Sequence, residues 1–266
     1  LLRSSLLIAI ASSTLIPREA LMTGSNIRSM KLSPDGQFIG ELARDPNDVV
    51  NVFVAAIKDL EYRQVTFEKK PVHDFHWTGV QDVILFEQDT DGDENHKMFK
   101  RNISVETPEH ERTTVCNIHG VKAKLSSNNK RDPFVLVGLN DVIPTFHNIY
   151  KFDLITDELT LVLTDKRFTA AHIFEDNDMR IRVAKEDQED GSVIYFRVRS
   201  NVSSSELRTD EDHWQEYLRV QPEEAMITRF VGFDKTNENA YWIWGEGSDL
   251  GTLIVTPFDD FSDKKV

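Results

Sequence analysis

The strongest constraint on this chain is a turn that recurs. Leu32-Ser33-Pro34-Asp35-Gly36 opens directly into a half-apolar run, Gln37 to Ala43. Proline presets φ for a turn and glycine supplies a positive φ, so the pentad carries its own turn mechanism. A second strand-like run, Val49 to Ile57, comes next, and a third short one ends at Gln64-Val65-Thr66. Weaker copies of the start, each an apolar residue and a turn ahead of a strand, follow at roughly 45- to 60-residue spacing. They are Phe75-His76-Trp77-Thr78-Gly79, Leu125-Ser126-Ser127-Asn128-Asn129, Ile173-Phe174-Glu175-Asp176-Asn177 and Val231-Gly232-Phe233-Asp234-Lys235.

The runs between these starts carry strand periodicity. Met179, Ile181 and Val183 alternate with Arg180 and Arg182, and Ile194, Phe196 and Val198 alternate with Tyr195, Arg197 and Arg199. The acidic loop Lys185 to Gly191 joins them as a hairpin. Tyr150, Phe152 and Leu154 lead through the turn Thr156-Asp157 to Leu159, Leu161 and Leu163. Val83 to Phe86 and Phe134 to Leu139 are continuous apolar runs, expected of strands covered on both faces. One stretch, Asp210 to Val220, reads as a turn or two of helix, because Trp214, Tyr217 and Leu218 fall at i, i+3, i+4. A four-stranded propeller blade takes about 40 to 50 residues, so the chain reads as all-β, a β-propeller with five visible blade starts. The last interval is widened by an insertion from Ser203 to Pro222, and the fifth start has only its early strands before Val266. The propeller therefore reads as incomplete.

Composition narrows the partners. With 31 basic and 45 acidic residues the formal charge is −14, which disfavours nucleic acid and anionic membrane. Cys116 is the single cysteine, which excludes an intrachain disulfide and a thiolate metal cluster. The first residue is Leu, so the chain reads as lacking its beginning, with 1–15 a leader ahead of a partial propeller over 16–266. Leu6-Leu7-Ile8-Ala9-Ile10-Ala11 fits either a secretory-signal remnant or an apolar segment packed on the domain, and it is too short to span a bilayer. The compartment follows that choice: secreted or periplasmic in the first case, cytoplasmic in the second. Asn102-Ile103-Ser104 and Asn201-Val202-Ser203 fit the glycosylation sequon, which chance also supplies at this length.

Candidate chemistry is sparse. Asp89 to Asn95 places carboxylates at alternate positions, but Glu94 and Lys100 stand where a helical calcium loop needs Gly and Glu, so a hairpin turn is the better reading. His73 and His76 flank Asp74 and Phe75 at an ordinary blade start, and no HExxH spacing exists for zinc. Gly245-Glu246-Gly247-Ser248-Asp249 lacks the spacing of a nucleophile elbow and lies between Tyr241-Trp242-Ile243-Trp244 and Thr252 to Val255, as a hairpin loop. Glu223-Glu224 reads as a pair of solvated acids. No catalytic, cofactor-binding or metal-binding residue is assigned.

Several segments in order carry a resemblance. Ile16-Pro17-Arg18-Glu19, Leu32-Ser33-Pro34-Asp35-Gly36, Asn51-Val52-Phe53-Val54, Gln64-Val65-Thr66, the run Asp89 through Asn95 with Met98-Phe99, Val137-Gly138-Leu139-Asn140-Asp141 and His147-Asn148-Ile149-Tyr150 resemble the prolyl oligopeptidase and dipeptidyl/acylaminoacyl peptidase family. The resemblance covers Ile16 to the end and falls within that family's amino-terminal propeller. It implies a propeller that filters peptides toward a following α/β-hydrolase domain with Ser, Asp and His. No triad residue carries over, and Glu223-Glu224 and Asp93-Glu94 do not match the family's substrate-binding glutamates. The expected function is thus the substrate-gating propeller of a serine-type peptidase, acting on peptides through a hydrolase domain outside this chain, with room for a homo-oligomer of the full-length protein. The alternative is a stand-alone binding or scaffold propeller of the TolB-like kind.

Overall fold

The computed structural model describes residues 27–89, 92–104, 111–116, 118–168, 172–203, 207–209, 212–247 and 250–261. The leader, the Ile16-Pro17-Arg18-Glu19 segment, Thr90, Asp91, Asn117, Ser248 and Asp249 lie outside them. Five antiparallel sheets follow one another along the chain. Blade 1 holds β1 (Ile27–Leu32), β2 (Phe38–Arg44), β3 (Val50–Ala56) and β4 (Arg63–Gln64). Blade 2 holds β5 (Val72–Trp77), β6 (Val83–Gln88), β7 (Lys97–Asn102) and β8 (Thr113–Thr114). Blade 3 holds β9 (Ala123–Ser127), β10 (Phe134–Leu139), β11 (Asn148–Asp153) and β12 (Leu159–Thr164). Blade 4 is built from β13 (Ile173–Glu175), β14 (Ile181–Asp187), β15 (Val193–Val198) and β17 (Trp214–Val220), and blade 5 from β18 (Arg229–Phe233), β19 (Asn239–Trp244) and β20 (Thr252–Pro257). Each expected blade start lies at the first strand of one sheet and the turn after it. The chain is an all-β propeller fold of mostly four-stranded blades.

The chemistry of those turns explains why the pentads recur with different letters. In blade 1 the Ser33 hydroxyl accepts from Phe38 N (2.9 Å) and donates to Asp35 Oδ1 (2.6 Å), while Gly36 sits at φ +69°. In blade 4 Asp176 Oδ1 accepts from Asp178 N and Arg180 N, and in blade 5 Asp234 Oδ1 accepts from Glu238 N and Asn239 N. Asn129 Oδ1 serves Arg131 N and Asp132 N in blade 3. Thr78 serves Val80 N in blade 2. A short polar side chain closes each turn by taking backbone N–H groups that no strand pairs. These bonds favour the ionised carboxylate, holding Asp35 below its usual range and Asp234 at about 2, chiefly through the Asn239 side chain.

Four apolar clusters, one between each pair of consecutive blades, hold the sheets face to face. Blades 1 and 2 share Leu42, Val52 and Val54 with Phe75, Trp77 and Phe86. Blades 2 and 3 share Leu85 and Met98 with Val135, Val137 and Phe152. Leu136, Ile149 and Phe168 meet Ile181, Phe196 and Trp214 between blades 3 and 4. Tyr195 and Val183 meet Phe230 and Trp242 between blades 4 and 5. Because central blades bury both faces, their middle strands are apolar without alternation, as in β6 and β10. No helix among the described residues is long and apolar enough to cross a membrane.

Two expectations are corrected. The described part of Asp210 to Val220 contains no helix: residues Trp214–Val220 form β17, paired with β15. A register shift sets Leu218 against Tyr195 but Glu216 against Phe196, leaving Tyr217 as an extra residue. One inserted residue turns a period of two into apparent i, i+3 and i+4 coincidences. The only helix described is instead α1 (Pro222–Ala225), one turn long. Met179 belongs not to the strand but to its turn, at φ +56°, and is nonetheless buried. The insertion expected from Ser203 also has a structural use. Its β16 (Leu207–Arg208) pairs in parallel with β12 of blade 3, clipping blade 4 to its neighbour. The clip continues as Thr209 Oγ1 donates to Asp165 Oδ1 (3.1 Å).

Candidate functional surface: the inner wall of the ring

The first strand of each blade is an edge strand of its own sheet, and neighbouring first strands, β1 with β5, β9 with β13 and β13 with β18, touch through side chains. Lys31 Nζ of β1 reaches Asp74 Oδ1 and the Phe75 carbonyl of β5, both at 2.6 Å, while Trp77 Nε1 donates back to the Lys31 carbonyl at 2.9 Å. Ser126 Oγ of β9 donates to Glu175 Oε1 of β13 at 2.9 Å. Phe174 of β13 packs on Phe230 of β18 with centroids 5.2 Å apart. These contacts string the edge strands into an inner wall, where their unpaired side is shielded from other chains.

The wall is polar where blades 2 and 3 meet. A cleft of about 330 Å³ is bordered by Asp74, His76, Glu87, Lys124, Ser126 and Lys130. His76 Nε2 stands 3.5 Å from Asp74 Oδ2 and 3.8 Å from Glu87 Oε1. On the same wall, burial raises the half-buried Glu175 carboxyl to about 7, against the opposing effect of the Ser126 hydrogen bond. Such a set can exchange hydrogen bonds and ion pairs with an extended peptide. Ser126 Oγ is oriented by its hydrogen bond to the Glu175 carboxyl.

Glu175 was visible in the sequence only as a letter of a blade start. Its folded-state value lies above the ordinary glutamate value of 4.5, so the folded state keeps a proton that the unfolded state releases. Its contribution is fully present below about pH 4.5 and is lost as pH rises through about 7. The unfolding free energy is expected to fall between about pH 4.5 and 7, by an amount bounded by about 3 kcal/mol, and Glu175→Gln to flatten that slope. Thermal unfolding of both proteins across that range checks it; equal slopes would remove Glu175 as the cause.

The other residues singled out in the sequence lie apart from this wall or serve the fold. His73 stacks on His96, with centroids 4.5 Å apart, and no group of three metal-ligating side chains occurs among the described residues. Asp89 spends both oxygens on its own loop, accepting from Gly92 N and Glu94 N, and Asp93 takes Asn95 N and Nδ2. That is the geometry of the expected hairpin turn. Cys116 is buried between blades 2 and 3. Glu223 and Glu224 lie in the first turn of α1. Gly245 N is held by Thr228 Oγ1 at the expected β19–β20 hairpin.

Fold and wall together define a β-propeller module whose inner surface is lined with charged and hydroxyl groups. No family model matches the chain. It is 43% identical over 266 residues to dipeptidyl peptidase family member 6 of Caenorhabditis elegans, covering 98% of this chain and 35% of that protein. It is 24% identical over 249 residues to dipeptidyl aminopeptidase BIII of Pseudoxanthomonas mexicana, covering 92% and 34%. The chain thus spans about a third of the length of these curated relatives. Among solved structures, dipeptidyl peptidase 4 of Porphyromonas gingivalis superposes with a TM-score of 0.58 at 9% identity, over 92% of this chain and 39% of that one. Oligopeptidase B of Trypanosoma brucei gives 0.56 at 12% identity, over 90% and 33%. At such identities these two establish the shared fold. The chain is thus homologous to part of proteins named dipeptidyl peptidase and dipeptidyl aminopeptidase, and it shares its β-propeller fold with the two solved peptidases.

Proposed function

We propose that this chain is the substrate-gating propeller of a serine-type peptidase, with the nucleophile, its base and its orienting acid supplied by an α/β-hydrolase portion outside the chain. The observation that carries the reading is the 43% identity across 98% of the chain to a dipeptidyl peptidase family protein. The inner wall fits the role. An extended peptide is narrow and carries unpaired backbone groups that Asp74, His76, Lys124 and Ser126, which border a cleft of about 330 Å³, can meet. The full-length protein is expected to react covalently with a fluorophosphonate and to hydrolyse short peptides while leaving folded proteins intact. No labelling, or equal cleavage of a protein substrate before and after unfolding, would sink the proposal.

A further inference from the structure

Where blades 4 and 5 adjoin, four arginines border a groove of about 440 Å³: Arg180 and Arg182 at the start of β14, Arg197 and Arg199 at the end of β15. They gather four cationic side chains within a chain of formal charge −14. Two of the guanidinium groups lie over aromatic rings. Arg182 lies 4.7 Å from the Phe258 centroid and 5.3 Å from that of Phe233, and Arg197 lies 5.5 Å from that of Tyr217. The Gln215 amide, in the orientation that satisfies both its ends, accepts from Arg197 Nε and Nη2.

The two pairs of arginines are held in different ways. Arg180 and Arg182 are tied inward to Oδ2 of Asp176, whose side chain is fully buried, at 3.3 and 3.0 Å, and Arg180 also meets Asp178. Arg197 meets Asp259 only at 3.4 Å, and that aspartate side chain is 97% exposed. Arg199 meets Asp212 at 2.8 Å, whose side chain is 85% exposed. Exposed pairs of this kind contribute little and exchange readily. The inner pair is thus structural, while the outer pair presents Arg197 Nη1, which also reaches the Phe258 carbonyl, and the Arg199 fork of Nε and Nη2, each facing a replaceable carboxylate.

We propose that this groove binds peptide carboxylate, from an acidic side chain or a chain terminus, which displaces Asp259 from Arg197 and Asp212 from Arg199. The planar Arg199 fork matches a carboxylate bidentately, and a second cationic N–H at Arg197 Nη1 with an apolar wall at Phe258 favours an acidic peptide over a lone ion. The inference is read by binding alone and stands independently of peptidase activity.

The test uses two fluorescent peptides in anisotropy titrations: hexaglutamate with an amidated end, and a neutral hexapeptide with a free carboxylate end. At least one is expected to bind, about tenfold more weakly to Arg197→Gln/Arg199→Gln and more tightly to Asp259→Asn, with affinity falling as salt rises. Binding of the amidated peptide assigns acidic side chains, and binding of the neutral one assigns the chain terminus. If neither binds, or the double substitution leaves affinity unchanged, the proposal falls. It falls equally if inorganic phosphate displaces the peptide at lower concentration than acetate does. Should the double variant fail to fold, Asp259→Asn and Asp212→Asn decide: no tightening in either overturns the assignment.

Discussion

Trp242→Ala is expected to cost about 3–5 kcal/mol and lower the unfolding midpoint by about 10 °C. Trp242 is wholly buried on β19 and is the centre of the cluster joining blades 4 and 5. Its ring meets Tyr195 at 4.9 Å, Phe230 at 5.1 Å and Phe261 at 5.4 Å, each edge to face. Truncation removes one partner from all three contacts at once and leaves a cavity that three rigid rings cannot collapse to fill. Trp242→Phe is the informative companion. The Trp242 Nε1 hydrogen has no partner and is buried, so phenylalanine removes an unsatisfied donor while keeping most of the apolar surface. Its cost is expected to be about 1 kcal/mol, and urea unfolding of the two variants checks the ordering. Equal losses would mean that a smaller ring cannot replace the indole in this cluster.

Gly79→Ala is expected to destabilise by about 3 kcal/mol although it adds one methyl group to a turn. A Cβ at Gly79 would lie 2.4 Å from the Asp132 carbonyl oxygen and 2.6 Å from the Arg131 carbonyl carbon. These are backbone atoms of the blade 3 turn, so no side chain can swing aside. Asn128 Nδ2, donating to the Trp77 carbonyl at 2.8 Å, holds the two turns at that separation. Gly36→Ala makes the contrast. Nothing lies within 4 Å of a Cβ there, and its cost comes from the positive φ of +69° alone. Measured side by side, Gly79→Ala should lose clearly more stability; the reverse order would show that the turns of blades 2 and 3 move apart freely.

Much of the architecture was legible because it is local. Short polar residues at the first turn of each blade announce themselves in the chain, since Ser33, Thr78, Asn129, Asp176 and Asp234 bond to backbone within a few residues. The strands of β6, β10, β14 and β15 were legible for the same reason, through apolar runs or alternation. The strand at Trp214–Val220 was not, because a bulge at Tyr217 shifts its phase, and a phase shift is indistinguishable from helical spacing until the partner strand is seen. The two-residue β16 lay beyond reach as well: it has no periodicity of its own and exists only because β12 offers it an edge.

The functional surfaces depend on which distant residues meet. Asp74 and His76 were noticed as neighbours in sequence, but Lys124 and Ser126 join them only when blade 3 packs on blade 2. Glu175 is an unremarkable letter until folding removes its water and brings Ser126 to it across 49 positions. The four arginines were read simply as the polar face of alternating strands. By itself, then, the sequence determined the number of blades, their order and their turns, because those follow from hydrogen bonds and periodicities spanning a few residues. The tertiary structure alone decided the inner wall, the clip between blades 3 and 4 and the arginine groove. Each is made by side chains or strand edges distant in sequence, whose proximity is set by how one sheet packs on the next, a quantity no local pattern encodes.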